Sequence, residues 1–383
     1  MDARLYYLTL GNVMIGTGTM VVSGILDPIA ADLAISVSAA GQVTTVYALA
    51  FALGAPVAAA FTGRFDRARV LALSLLVFAA ASLLSAVAPN YTTLLIARGL
   101  GGLAAATFSP TAVAVAASLV PPAERGRAIA LVFGGMTIAS VLGVPLGTWI
   151  GLNFGWRILL AGLGVLSLGA VIALWRGVPG GLFLPAATLA RWDEALRLPI
   201  IRALLGVTLF QIGGSFVLFA FFGPYLGTVT GVGTDGIASL LFLFGLASLI
   251  GNFAAGWAVD RVGAGPVAHG AIALTALSMV ALLGTAGAPV LAGLAIILWG
   301  SAVFGINTAQ QARLVDAAPG LATVVLPANS SILFAGQALG AALGGAVLAM
   351  GGLAALPLVG ALVVGIALVL SLRAMRQTGR APV

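Results

Sequence analysis

The sequence predicts an all-α polytopic membrane protein: twelve transmembrane helices in two pseudo-symmetric six-helix bundles. Three observations carry this expectation. The 383 residues are 61% hydrophobic and only 7% charged, whereas about a quarter of a soluble domain is charged. Apolar runs near the ~20 residues that a helical span needs recur along the whole chain. The arginines between those runs fall almost entirely on one side, as the positive-inside rule demands.

The spans are expected near 5–28, 39–61, 70–88, 92–118, 127–151 and 156–175, then near 200–226, 236–258, 265–287, 289–312, 322–350 and 353–372. The gaps are short and carry turn residues such as Pro89-Asn90, Gly263-Ala264-Gly265-Pro266 and Ala288-Pro289. The first run has no basic leader before it and no small-residue cleavage site after it, so it reads as a retained span. All 17 basic residues are arginine. With the N-terminus inside, fifteen lie on the cytoplasmic side, Arg157 lies outside and Arg98 lies within a span. Losing one span would scramble that count downstream, so the bias supports both the number twelve and cytoplasmic termini, in a bacterial inner membrane.

The longest gap divides the chain into a bundle over 1–176, a cytoplasmic linker over 177–199 and a second bundle over 200–383. Within the linker, Leu189, Trp192 and Leu196 share one helical face and the charged residues lie off it. That pattern predicts a short amphipathic helix on the membrane surface.

Several chemistries are excluded. With no cysteine and one histidine, His269, thiolate and histidine metal clusters are out, and no metal is expected. No phosphate-binding loop or nucleophile–base grouping occurs, so no cofactor, no ATP drive and no enzyme are expected. The net charge of +7 is membrane topology rather than a nucleic-acid surface, and no nucleic-acid partner is expected. The partners expected are the lipid bilayer, a small-molecule substrate and protons, with the chain acting as a monomer.

An internal repeat follows. GRFDRAR at Gly63 and GWAVDRVG at Gly256 both follow the second span of a half. Pro28 and Pro224 end the first span of each half, again about half the chain apart. Two parallel halves of this kind place a substrate site at their interface near the midplane.

With these loops, the GVPLGT segment (Gly143–Thr148) and the PPAERGRA segment (residues 121–128), the chain resembles the major facilitator superfamily over essentially its whole length. It is most similar to the twelve-span drug/proton antiporter branch, among bacterial sugar-efflux and chloramphenicol-resistance-like permeases. The resemblance implies alternating access. It also implies a conformational latch at the loop motif G-x-x-x-D-R-x-G-R, carried here by Gly63, Asp66, Arg67 and Arg69 and by Gly256, Asp260, Arg261 and Gly263. The first copy lacks the glycine after Asp-Arg; the second lacks the trailing basic residues. The family's antiporter motif G-x-x-x-G-P-x-x-G-G is met in span five by Gly143, Pro145 and Gly147. Ala139 replaces its first glycine, and Val144 intrudes before the proline. Small residues there allow close helix contact and proline bends the helix.

Arg98, in LLIARGLGGLAAA, sits about eight residues into span four, roughly 12 Å along a helix. Such a charge costs about 2.5–3.5 kcal/mol on insertion scales. Two readings stand: the arginine snorkels to the outer interface, or it faces the cavity and holds substrate or tunes a carboxylate. The family's R-x-x-x-G fits Arg98 with Gly102. Arginine cannot release a proton at working pH, so coupling needs a carboxylate. Asp27, in GILDPIAADL, is the remaining candidate, and an Asp27–Arg98 pair is the expected proton-coupling site. The other reading of Asp27-Pro28 is a span end at the water boundary.

The remaining intramembrane polar residues are uncharged. Asn12, Gln42, Tyr47, Gln211, Asn307, Gln310, Asn329 and Gln337 form the candidate substrate cavity, though amides also bond across helices. Phenylalanines crowd span seven, so a neutral, partly apolar solute fits better than a dication. Proton-coupled efflux of such a drug-like or sugar-like solute is the leading expectation. An uncoupled facilitator or sugar importer is the first alternative, and a transport-inactive sensor or scaffold the second.

Overall fold

The computed structural model describes residues 2–121, 124–183 and 189–378, so Pro122 and Ala123 of the PPAERGRA segment lie outside the described residues. Among the described residues every regular element is helical. Twelve segments are long and apolar enough to cross a membrane, from Arg4–Gly24 to Leu353–Met375. The chain forms two compact units, Met1–Ala186 and Ala187–Val383.

The first unit contains α1 (Arg4–Met20), α2 (Leu26–Asp32), α3 (Val37–Phe61), α4 (Arg67–Ala86), α5 (Tyr91–Ser118), α6 (Arg125–Ile138), α7 (Val144–Asn153) and α8 (Trp156–Gly177). The second contains α9 (Leu189–Arg197), α10 (Pro199–Phe219), α11 (Phe222–Tyr225), α12 (Thr234–Val262), α13 (Ala264–Leu282), α14 (Pro289–Ala317), α15 (Ala322–Gly351) and α16 (Leu356–Thr378). Polar caps start several spans. Ser36, Asp66 and Asn90 each accept a backbone N–H of the first turn of α3, α4 and α5.

The first span of each half is broken, which corrects the expected continuous runs. α1 ends at Met20 and a tight turn over Val21–Gly24 leads into α2. α10 ends at Phe219, and α11 restarts at Phe222. Pro28 and Pro224 therefore do not end the spans; they lie inside the short second pieces. Pro28 sits in the first turn of α2, where its missing N–H has no helical partner to lose.

Small residues set the closest helix contacts. In the first unit, Gly135, Ala139, Gly143, Gly147 and Gly151 recur every four residues against α1, the turn and Ile25. Glycine is needed there because a Cβ at Gly143 would overlap the Thr17 side chain, and one at Gly147 would meet Val21 at 2.6 Å. In the second unit, Gly336, Gly340 and Gly344 of α15 press on the carbonyls of Leu209, Gly213 and Val217 of α10. A second pair matches too: Gly102 of α5 abuts the Tyr47 carbonyl of α3, and Gly300 of α14 would meet the Phe244 carbonyl of α12 at 2.6 Å. Without a hydrophobic drive between helices in lipid, close van der Waals approach is what holds such pairs.

Arg157 ties one end of the first unit. Its Nη1 meets Asp32 Oδ2 at 2.6 Å, its Nη2 donates to the Ala88 carbonyl at 2.8 Å, and its guanidinium lies 4.1 Å from the Trp156 ring centre. The linker helix α9 carries an exposed Arg197–Asp193 pair at 2.8 Å. Its packing face is centred on Ala195, buried with Leu204, Leu314 and Ala374, while Leu196 of the expected apolar face is exposed. The side chains of Leu189 and Trp192 lie outside the described residues.

Gly102→Leu should lower the unfolding free energy of the solubilised protein by about 1–3 kcal/mol, the usual cost of overpacking a filled contact. Gly99→Ala, whose Cβ would meet Val46 at an ordinary 3.5 Å, should leave thermal unfolding unchanged in the same assay.

Candidate functional site

Arg98 is turned into the first unit, with 5% of its surface exposed. Its Nη2 donates to the Gly18 carbonyl at 2.8 Å. That carbonyl belongs to the last turn of α1, whose final four carbonyls lack partners within the helix. The Val21 N–H takes up the Thr17 carbonyl, and Arg98 takes up the next one. The cation also complements the negative end of the helix dipole. Arg98 is therefore a C-cap supplied by another helix, inside the membrane.

The same guanidinium lies 4.4 Å from the centre of the Tyr47 ring, a cation–π contact strengthened by the absence of water. Tyr47 is 1% exposed, and its hydroxyl shares a 3.0 Å hydrogen bond with Thr19. Four residues after Arg98, on the same face of α5, Gly102 lets the helix rest on the Tyr47 backbone. Both residues of R-x-x-x-G thus address one tyrosine, one through its ring and one through its carbonyl.

Asp27 is not in this cluster. It is exposed, in the first turn of α2, and partial burial pushes its carboxyl pKa upward. Arg98 bonds to Gly18 and stacks on Tyr47, so the structure does not bring the expected Asp27–Arg98 pair together. The physical reason is the break after Met20: the chain turns there, and Asp27 starts a separate helix.

Gly143, Pro145 and Gly147 lie where the fifth span changes pitch. A wider π-type turn over Ala139–Gly143 separates α6 from α7, and the Val144 N–H bonds to the Ala139 carbonyl five residues back. A stripe of small residues repeating every four drifts around a 3.6-residue helix. The wider turn winds it back onto α1. The extra Val144 is absorbed by that turn, and Ala139 stands in the stripe against Gly16.

The two loop motifs do different work. Asp66 caps α4 through Ala68 N at 3.0 Å and also accepts Gly181 N at 2.9 Å and Leu182 N at 3.3 Å. Arg67 N donates to the Leu182 carbonyl at 2.8 Å, and Arg67 Nη1 to Thr62 Oγ1 at 2.9 Å. The first copy therefore clamps the chain that leaves α8. Gly63 sits in the tight turn Thr62–Arg64 that opens it. Arg69 is exposed and adds favourable charge to Asp66. Desolvation raises the Asp66 pKa, but the three N–H donors and Arg69 outweigh it and hold the carboxyl below its ordinary 3.8. In the second copy Asp260 and Arg261 are exposed in the last turn of α12 after Gly256, and Arg261 lies 3.7 Å from the Trp257 ring centre. Gly263, at φ 86°, makes the corner into α13.

In the second unit three of the candidate cavity residues meet. Gln211, Asn307 and Gln310 line a small void with Thr208. Gln310 Nε2 donates to the Leu204 carbonyl at 2.5 Å, and Thr208 to Asn329 Oδ1 at 2.7 Å. The buried Gln211 Nε2 and Gln337 Oε1 have no hydrogen-bond partner. Asn12 and Gln42 stand apart, in the first unit. Asn12 bridges helices through Val132 O at 3.0 Å and Ser109 at 2.8 Å. Gln42 reaches only Ser38 O of its own helix, at 3.5 Å.

Sequence reasoning saw the phenylalanines of span seven but not that two of them join Phe244 and Trp299 in one cluster. Trp299 packs against Phe219, Phe222 and Phe244 with ring centres 5.1–6.3 Å apart. The matching glycine–carbonyl contacts of Gly102 and Gly300 set Phe244 of this cluster in the place of Tyr47 and the buried Ile296 in the place of Arg98.

The family model described as Major Facilitator Superfamily matches residues 8–334. The inner membrane transport protein YdhP of Escherichia coli (strain K12) is 32% identical over 380 residues, 97% of this chain and 96% of its own. A chloramphenicol resistance protein of Streptomyces lividans is 31% identical over 347 residues, 89% and 88% of the two chains. Among solved structures, a bacterial homologue of the human lysosomal transporter Spinster superposes with a TM-score of 0.77 at 18% identity, covering 97% and 96% of the chains. A twelve-helix membrane transporter is thus the class that fold and sequence define. The chain belongs to the major facilitator superfamily.

The Asp66 clamp predicts a pH dependence. A depressed carboxyl pKa keeps its contacts at neutral pH and loses them as pH falls below the ordinary 3.8. Limited proteolysis between residues 183 and 198 should therefore accelerate below that pH, and Asp66→Asn should show the same acceleration at pH 7.

Proposed function

We propose that the chain is an efflux carrier which exchanges a small neutral or amphipathic solute for protons by alternating access, working as a monomer with its termini in the cytoplasm. The observation that carries the reading is the chemistry of the buried polar groups. Gln211, Asn307 and Gln310 are amides grouped on facing helices, and Arg98 is spent on a carbonyl and a ring. Such groups suit a solute that hydrogen-bonds without carrying charge. The relative described as a chloramphenicol resistance protein supports the efflux direction. The arginine distribution supports the orientation.

In this reading Asp27 binds the proton and Arg98 positions the first span without titrating. Desolvation raises the carboxyl pKa of Asp27 above its ordinary value, the direction that favours holding a proton. Its exposure also favours a second reading, an uncoupled facilitator, because an exposed carboxylate is a normal helix-start residue.

Everted vesicles with a pH-sensitive dye separate the two. Under an inside-acid gradient, neutral drugs and sugars should trigger proton release in wild type, and Asp27→Asn should abolish release while the protein still folds. Proton-free transport unaffected by Asp27→Asn would establish the facilitator. Arg98→Ala should differ from both by lowering stability by about 1–3 kcal/mol, the cost of a buried carbonyl left without a donor.

A further inference from the structure

The only histidine of the chain lies in α13 and has no part in the sites above. His269 is half-buried, and its Nε2 is buried without a hydrogen-bond partner. The Ser371 backbone and the Arg313 guanidinium both stand close enough to act on the imidazole. Arg313 Nη1 donates to Ser371 Oγ at 2.7 Å and to Gln310 Oε1 at 3.2 Å, and Nη2 reaches the Ser371 carbonyl at 3.4 Å. Gln310 in turn donates to the Leu204 carbonyl. One connected set of polar groups thus ties α13, α16, α14 and α10 together.

Arg313 has no carboxylate partner among the described residues. Among the described side chains, the other charged groups on the elements packed against α13 are Asp235, Asp260 and Arg261 of α12, Asp316 of α14 and Arg373 of α16. All five are exposed, and no salt bridge joins any of them to His269. A neutral imidazole offers one N–H and one lone pair. Protonation would place a second N–H at a buried position with no acceptor and a second cation beside Arg313. The charge penalty is relieved if the guanidinium leaves Ser371 for water.

We propose that His269 is a proton-binding site whose occupation releases the Arg313–Ser371 tie and loosens the arginine-rich end of the second unit. The inference rests on this cluster and goes beyond the coupling proposed through Asp27.

The absence of cysteine makes the test clean. Ala374, one turn beyond Ser371 and 1% exposed, becomes a reporter as Ala374→Cys in the full chain in everted vesicles. The probe is a membrane-impermeant maleimide, with rates normalised to a free thiol at each pH. Labelling should rise severalfold from pH 7.5 to pH 5.5, in step with protonation of the imidazole. His269→Gln should remove the rise, and Arg313→Gln should give fast labelling at both pH values. A flat wild-type profile, or a rise that survives His269→Gln, overturns the proposal. Adding Asp27→Asn should leave the rise intact. Its loss there would mean that the pH response belongs to Asp27, which also overturns the assignment to His269, whereas failure of proton exchange alone leaves it untouched.

Discussion

Inside a bilayer no water is at hand for an unpaired carbonyl, so a helix can break there only where the protein supplies a donor. The first unit breaks α1 after Met20 and supplies Arg98. This one bond reconciles two expensive features, a charge within a span and a helix end within a span. Each would cost several kcal/mol alone. Together they satisfy one another, and Tyr47 covers the remaining face of the cation. The rest of the unit is arranged around that meeting. Gly102 brings α5 to the Tyr47 backbone, and the four-residue stripe from Gly135 to Gly151 holds α6 and α7 against the broken span.

The second unit repeats the scaffold and replaces the chemistry. Gly300 meets Phe244 as Gly102 meets Tyr47, and α10 breaks as α1 does. Around that contact stand Trp299 and three phenylalanines, with Phe244 in the place of Tyr47 and Ile296 in the place of Arg98. One break is held by a charge-assisted hydrogen bond and the other by aromatic packing. A charge-assisted bond is directional and is lost sharply with geometry, whereas edge-to-face rings tolerate sliding. The asymmetry of charge between the halves is therefore an asymmetry in how each first span is held.

The twelve spans, their order and the linker helix were legible because lipid imposes length and apolarity on every span and leaves turn residues between them. The breaks were not. Val21–Gly24 and Phe219–Phe222 are as apolar as their flanks, and hydropathy is blind to where an apolar helix stops hydrogen-bonding. That is why Asp27 was expected beside Arg98 and lies exposed in a separate helix. The substituted antiporter motif misled for a related reason. A pattern read at fixed spacing counts Val144 as an intrusion, while a wider turn takes up one residue and keeps the small face aligned. Arg98 with Gly102 was readable as a pair, but its shared target was not, because Tyr47 lies about fifty residues away. Asp66 was expected as a latch residue, yet the donors it binds, Gly181 and Leu182, belong to a stretch with no motif.

The central claim is that Arg98 holds the broken end of α1. Hydrogen–deuterium exchange of the purified protein tests it most directly, comparing wild type with Arg98→Met, which keeps much of the side-chain length and removes the donors. The account predicts that exchange accelerates in the peptides spanning 17–26, while α5 and α8 keep their protection. Unchanged protection over 17–26, or a loss spread evenly across the first unit, would contradict it.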